Sequence, residues 1–276
     1  MEKEFLSPIS DVIFKLLFGD ERNSELLIYL LQSVLRIPAE EYEDVTIIDP
    51  HLLREYKGDK LGILDVKVKT KSKKVINIEI QVKPKPSQRE RIVYSLSKMV
   101  TGQIGSGNDF SKIKRSICIF ITNFTFIPEN NKYHNCFLLC DPETGLQLTD
   151  VLEADTLELS KLPEAEDGTE IWNWMKFLSA KRKEDLDMIA EKSPQVKKAV
   201  VRLMELSNDE RTRMLYESRQ MMEWDNKLEK EEAIKAREYE FAKNLLKRNR
   251  PIDEIIEDTG LTREEIEQLK DGVANN

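Results

Sequence analysis

Asp65, Glu79 and Gln81 are the residues of this 276-residue chain whose types and spacing suit chemistry. Leu64, Val66 and Val68 alternate with Asp65, Lys67 and Lys69, the period of a half-buried strand. After a turn-like TKSKK, Ile76, Ile78, Ile80 and Val82 alternate with Asn77, Glu79, Gln81 and Lys83, and Pro84 and Pro86 end the run. Alternation puts Asp65 and Lys67 on one face of the first strand, and Glu79, Gln81 and Lys83 on the polar face of the second. A hairpin turning through Lys71, Ser72 and Lys73 sets Asp65 opposite Glu79, with Cβ atoms about 5 Å apart.

Two carboxylates that close repel each other unless a cation bridges them. Mg²⁺ or another hard divalent cation fits, because it takes one or two carboxylates and keeps positions for water and phosphate oxygens. Such an ion lowers the pKa of a bound water and offsets charge on a phosphate under attack. Lysines 67, 69, 71, 73, 74, 83 and 85 surround the pair and would draw in a phosphate backbone. The chemistry indicated is metal-dependent cleavage of a phosphodiester. The same residues also suit a plainer arrangement, the solvated face of an amphipathic sheet with Lys67 or Lys83 as neutralising partners. A one-residue slip in the hairpin would separate the pair.

Composition narrows the alternatives. Apolar residues make up 40% and charged residues 34%, as in a globular protein with a highly charged surface. Only two histidines occur, His51 and His134, which argues against histidine-based catalysis or a multi-histidine metal cage. Cys118, Cys136 and Cys140 have no CxxC spacing and are expected to be buried core thiols. No apolar run approaches the roughly 18–20 residues of a membrane span, and MEKEFLSP has no signal-peptide core. The expected location is the cytoplasm, with no membrane partner. The net charge of −8 suits nucleic acid poorly, but it is unevenly spread. Lys57 to Arg115 holds fifteen basic against five acidic residues, a local +10, so the rest carries −18.

The elements that must hold these residues follow from periodicity. Residues 9–36 read as two helices parted at Gly19 and Asp20, capped by Ser10 and closed by Pro38. Strand signals follow at 45–56, 64–69 and 76–82. A helix over 88–103 carries Ile92, Val93, Leu96, Met99 and Val100 on one side and Arg91, Tyr94 and Lys98 on another. Two apolar runs, ICIFIT at 117–122 and CFLL at 136–139, read as buried strands. The order predicts an α/β fold with a mixed sheet. Beyond about residue 165 the signals are helical, including a long charged stretch from 209 to 248, with Trp172 and Trp174 expected to anchor this part to the sheet. The expected division is an α/β domain over 1–165 and a helical region over 166–276. The final IDEIIEDTGLTREEIEQL looks like a helix-turn-helix, but Arg250 to Asn276 has three basic against eight acidic residues. A helical clip on the long helix or on a partner is expected instead of DNA contact.

The sequence resembles the recombination-promoting nuclease and putative transposase family of the PD-(D/E)XK nuclease superfamily. The likeness is carried by SDVIFKLLFGDERNSELLIYLLQSVL at 10–35, GILDVKVKTKSKKVINIEIQV at 62–82, RERIVYSLSKMV at 89–100 and AKNLLKRNRPIDEIIEDTGLTREEIEQL at 242–269. It implies a restriction-endonuclease-like core followed by an all-α region. It implies Asp65 and Glu79 as metal-binding catalytic carboxylates, with Gln81 where the superfamily usually has lysine. Gln81 is then expected to contact the attacking water or a phosphate oxygen, with Lys83 or Lys67 supplying positive charge. Asp11 and Lys15 match family positions as accessory residues, although a salt bridge over a Phe14/Phe18 contact fits them equally. Arg91 and Tyr94 also match, with Lys98 extending their stripe, as contacts to DNA, as support for the carboxylates, or as a plain solvated face. The implied function is a Mg²⁺-dependent DNA endonuclease linked to recombination, mobile elements or defence, acting as a homodimer through the helical region. A non-catalytic DNA- or protein-binding regulatory module on the same fold is the alternative.

Overall fold

The computed structural model describes residues 5–48, 66–105, 107 and 109–274, with side chains described as far as residue 270. Asp65 and His51 lie outside the described residues, as does most of the strand expected over 45–56. Helix α1 (Asp11–Phe18) starts where Ser10 Oγ accepts a hydrogen bond from Ile13 N, and α2 (Ser24–Val34) follows after a turn at Gly19. Both present leucine, valine and phenylalanine to one core. Phe14 and Phe18 stack with ring centroids 4.5 Å apart.

Six strands make one mixed sheet among the described residues: β1 (Thr46–Ile47), β2 (Val66–Lys69), β3 (Val75–Gln81), β4 (Ser116–Thr122), β5 (His134–Leu138) and β6 (Leu152–Glu158). Their spatial order is β1-β2-β3-β4-β6-β5. The pairs β3–β4 and β4–β6 are parallel, and the others are antiparallel. Helix α3 (Gln88–Thr101) makes the crossover from β3 to β4 and covers one face. There Ile92 and Leu96 pack on Cys118, Phe120, Phe126 and Ile127. The opposite face bears the larger core. It joins Val66, Val68, Ile76, Ile78, Ile117, Ile119 and Ile121 to α1, α2, α4 (Glu170–Ser179), α5 (Lys183–Lys192) and α6 (Pro194–Asn208).

β6 has no counterpart among the expected strands. Its sequence, LEADTLE, alternates acids with apolar residues and reads as surface, yet the strand lies inside the sheet between β4 and β5. Local partners make that tolerable. Glu158, fully buried, accepts hydrogen bonds from Phe126 N and Ile127 N and an ion pair from Lys161 at 2.9 Å. The cysteine expectation needs correction: only Cys118 is buried, while Cys136 and Cys140 are exposed along and beyond edge strand β5. Val93, expected in the apolar stripe of α3, is also exposed.

The chain packs as two compact units, Met1–Tyr216 and Glu217–Asn276. Helices α4–α6 share the core of the first unit: Trp174 packs on Phe18 and Phe177, and Leu186, Ile189, Val196 and Leu203 are buried in the same cluster. The break therefore falls about fifty residues beyond the point where strand signals cease. It lies within α7 (Glu210–Lys247). In the second unit, α8 (Ile252–Thr259) and α9 (Arg263–Ala274) fold back on the end of α7 through Ala242, Leu245, Ile255, Leu261 and Ile266. Gly260 takes φ +72° at the turn, and Thr262 and Glu265 form the expected capping box. The final hairpin is thus a clip on its own long helix.

Candidate active site and basic cleft

The β2–β3 hairpin sets the geometry, and a short segment outside the sheet fixes its register. Thr70 through Lys74 turn with Lys73 at φ +71°, as in a three-residue loop that ends on a left-handed residue. Glu41 clasps this turn. Its Oε2 accepts hydrogen bonds from Thr70 Oγ1 at 2.8 Å, Ser72 N at 3.1 Å and Ser72 Oγ at 2.7 Å, and its Oε1 meets Lys74 Nζ at 2.5 Å. The hydrogen bond from Lys74 leads these in holding the Glu41 carboxyl at about 2, well below its ordinary range. The resulting pairs are Lys69 with Val75, Val68 with Ile76, Lys67 with Asn77, and Val66 with Ile78. That is the register expected of a turn through Lys71, Ser72 and Lys73.

Glu79 and Gln81 follow on β3, beside Phe120 and Thr122 of β4. The polar face of this strand is not solvated. Glu79 is 1% exposed and Gln81 is 9% exposed, because α3 crosses above them. Arg91, on the first turns of α3, brings its Nη2 to 3.1 Å from Glu79 Oε1. The contact is an ion pair without hydrogen-bond alignment, and among the described residues nothing donates a hydrogen bond to Oε1. Burial raises the Glu79 pKa, while Arg91, Lys85 and Lys67 pull it back. A buried, under-coordinated carboxylate oxygen of this kind suits a hard divalent cation.

Beside Glu79 on the same face lies a cleft of about 670 Å³. Six lysines line it: Lys67, Lys69, Lys73, Lys98, Lys112 and Lys114. Asn77, two residues before Glu79, lies in its wall. Of the expected contact residues, Lys67 and Lys98 therefore meet in one cleft, while Arg91 turns to the buried carboxylate. Tyr94 is exposed, with the Lys98 ammonium 5.1 Å from its ring centroid. Lys83 lies past the end of β3, exposed, and its carbonyl accepts a hydrogen bond from Gln88 Nε2. Lys15 is 6% exposed, and a Cβ added at Gly19 would meet both Lys15 Cγ at 3.1 Å and Val66 Cγ2 at 3.5 Å. It therefore sits at the start of β2. Asp11 is half-buried and accepts a hydrogen bond from Val12 N. Lys112 and Lys114 were missed as site residues because they lie in the irregular segment before β4, where no periodicity assigns a face.

A mixed sheet with a crossover helix over a buried carboxylate and amide on its central strand defines an α/β protein of the PD-(D/E)XK type. The family model for PD-(D/E)XK nuclease family transposases matches residues 8–233, and the chain belongs to that family. No curated protein and no solved structure matched it. Among the described residues, no helix is long and apolar enough to cross a membrane.

Proposed function

We propose that the protein is a metal-dependent DNA endonuclease that hydrolyses phosphodiester bonds, in the setting of recombination, mobile elements or defence. The observation that carries this reading is the buried Glu79 carboxylate beside a cleft of six lysines. Asp65, one residue ahead of β2 in sequence and outside the described residues, is the second carboxylate of the proposal, as the family resemblance implies. Mg²⁺ or another divalent ion held by these two residues would supply an activated water and neutralise charge on the phosphate. The chain supplies the rest. Gln81, on the same face as Glu79, offers an amide to orient water or a phosphate oxygen. Lys67 and Lys98 hold the strand's phosphates in the cleft, with Lys69, Lys73, Lys112 and Lys114 extending the track. Arg91 opposes the rise that burial imposes on the Glu79 pKa. Lys15, Asp11, Lys83 and Tyr94 are assigned supporting roles at the margins. The cytoplasm is the proposed location, and pairing of two copies through the helical region is the proposed assembly. Exposed Met221, Trp224 and Leu228 on α7 support that pairing.

A second reading is favoured by the Arg91–Glu79 ion pair together with the lack of the usual lysine at Gln81. In it the fold binds DNA or protein without cutting. Incubation of purified protein with supercoiled plasmid separates the two. Nicking that requires Mg²⁺ or Mn²⁺ and disappears in Asp65→Ala and Glu79→Ala supports the enzyme. An intact plasmid with every divalent ion tried would sink it.

A further inference from the structure

On the opposite face of the sheet, at its far edge, four side chains with metal-binding chemistry meet where β5 pairs with β6. His134 and Cys136 extend from β5, and Glu153 and Asp155 from β6, with Cys136 directly opposite Asp155 in the antiparallel register. The two carboxylates are almost completely buried, at 4% and 1% exposure. One carboxylate oxygen from each and the Cys136 sulfur all lie within 4.8 Å of one another. Cys136 Sγ is 3.7 Å from Glu153 Oε1.

Charge balance at this cluster is incomplete. Arg115 pairs with Glu153, and His134 Nε2 lies 2.8 Å from Asp155 Oδ1. Asp155 Oδ2 is shut off from solvent, and among the described residues it accepts no hydrogen bond. A buried carboxylate oxygen with no donor is costly and calls for a proton or a cation. The thiol beside it decides which kind of cation. A hard ion such as Mg²⁺ prefers oxygen ligands, whereas a thiolate sulfur together with carboxylate oxygens is a donor set for zinc.

We propose that Cys136, Glu153 and Asp155 bind a Zn²⁺ ion that ties the edge strand β5 to β6, with His134 orienting Asp155 from outside the ligand set. Carboxylate–histidine contacts of this type commonly hold metal ligands in place. Because Cys136 is exposed, the fourth position opens to water. The site is independent of the proposed nuclease centre, from which it is separated by the thickness of the sheet.

Co²⁺ serves as the spectroscopic probe, using the full chain. The expected result is a thiolate-to-metal charge-transfer band on addition of Co²⁺, with the intensity of one thiolate-bound ion per chain, which Zn²⁺ then displaces. The band should disappear in Cys136→Ser and persist in Cys140→Ser and in Glu79→Gln. Its persistence in Glu79→Gln separates this site from the nuclease centre. Asp155→Asn should weaken Zn²⁺ binding by about tenfold or more, as measured by competition with a chelating dye. No band in the wild type, or a band surviving in Cys136→Ser, overturns the proposal. Should the variants fail to fold, alkylation of the wild-type protein decides. Zn²⁺ is expected to slow modification of Cys136 and leave Cys140 unchanged, and equal rates at Cys136 with and without Zn²⁺ reject the site.

Discussion

Arg91 Nη2 lies 3.1 Å from Oε1 of Glu79, and this pair joins the crossover helix to the central strand of the sheet. Glu79 is buried and Arg91 is half-exposed, so the two depend on each other unequally. Arg91 can exchange its partner for water, but Glu79 cannot. Arg91→Ala should therefore destabilise the protein by about 1–3 kcal/mol, the cost of stranding a buried polar group. Arg91→Lys should recover part of that loss. Urea unfolding at pH 7 measures both, and an unchanged midpoint in Arg91→Ala would show that the pair contributes nothing.

Glu79→Gln should act in the opposite direction. Burial raises the Glu79 pKa above its ordinary 4.5, so the folded state holds that proton more tightly than the unfolded chain does. At pH values below 4.5 both states are protonated and the residue carries no penalty. As pH rises through the folded pKa the carboxylate must ionise in a buried place, and stability falls. Removing the charge should raise Tm at pH 7 in the absence of metal, by about 2–4 °C per kcal/mol recovered for a unit of this size. No gain is expected at pH 4. The same variant should lose plasmid nicking. A Tm that drops at pH 7 would mean that Arg91 more than compensates the buried charge.

Glu41 provides a contrasting pH dependence. Its carboxyl is held at about 2 by the turn it clasps, so its contribution is present above 4.5 and is lost as pH falls toward 2. Glu41→Gln is expected to cost about 1–3 kcal/mol at pH 7 and almost nothing near pH 2. Because Glu41 fixes the hairpin register, nicking should fall as well, although Glu41 lies outside the cleft. Melting curves at the two pH values, alongside plasmid assays, check both expectations. Full activity in a destabilised Glu41→Gln would show that another contact sets the register.

The cleft predicts a salt effect. Lys98→Glu and Lys112→Glu should each weaken binding to any DNA sequence to a similar degree. Removing one lysine–phosphate interaction should reduce the slope of log affinity against log salt by about 0.9. Fluorescence anisotropy with a labelled duplex at several salt concentrations reads this directly. Unchanged slopes in both variants would place the DNA elsewhere on the surface.

Much of this arrangement was legible in the residues alone. The hairpin was readable because strand alternation is strict on both sides of TKSKK, and a short turn leaves few registers that keep Val66, Val68, Ile76 and Ile78 on the buried face. The helices of the first 36 residues and the capping box at Thr262 were readable because caps and breakers act locally. β6 was not, since Glu153, Asp155 and Glu158 look like surface residues until Arg115, His134 and Lys161 are placed beside them. Nor was the exposure of Cys136, because an apolar run does not reveal that it will lie on an edge strand.

The sequence by itself determined the family, the mixed α/β character, and the spacing that puts Glu79 and Gln81 on one side of a strand. It also concentrated positive charge between Lys57 and Arg115 within an acidic chain. Tertiary structure alone decided that this polar side would be covered by α3, leaving Glu79 buried against Arg91. It also decided which of the many lysines would line a common cleft. The physical reason is range: alternation and capping are read from neighbours a few residues apart, whereas burial and electric field at Glu79 come from Arg91 and Lys67, brought close only by the folded sheet and its crossover helix.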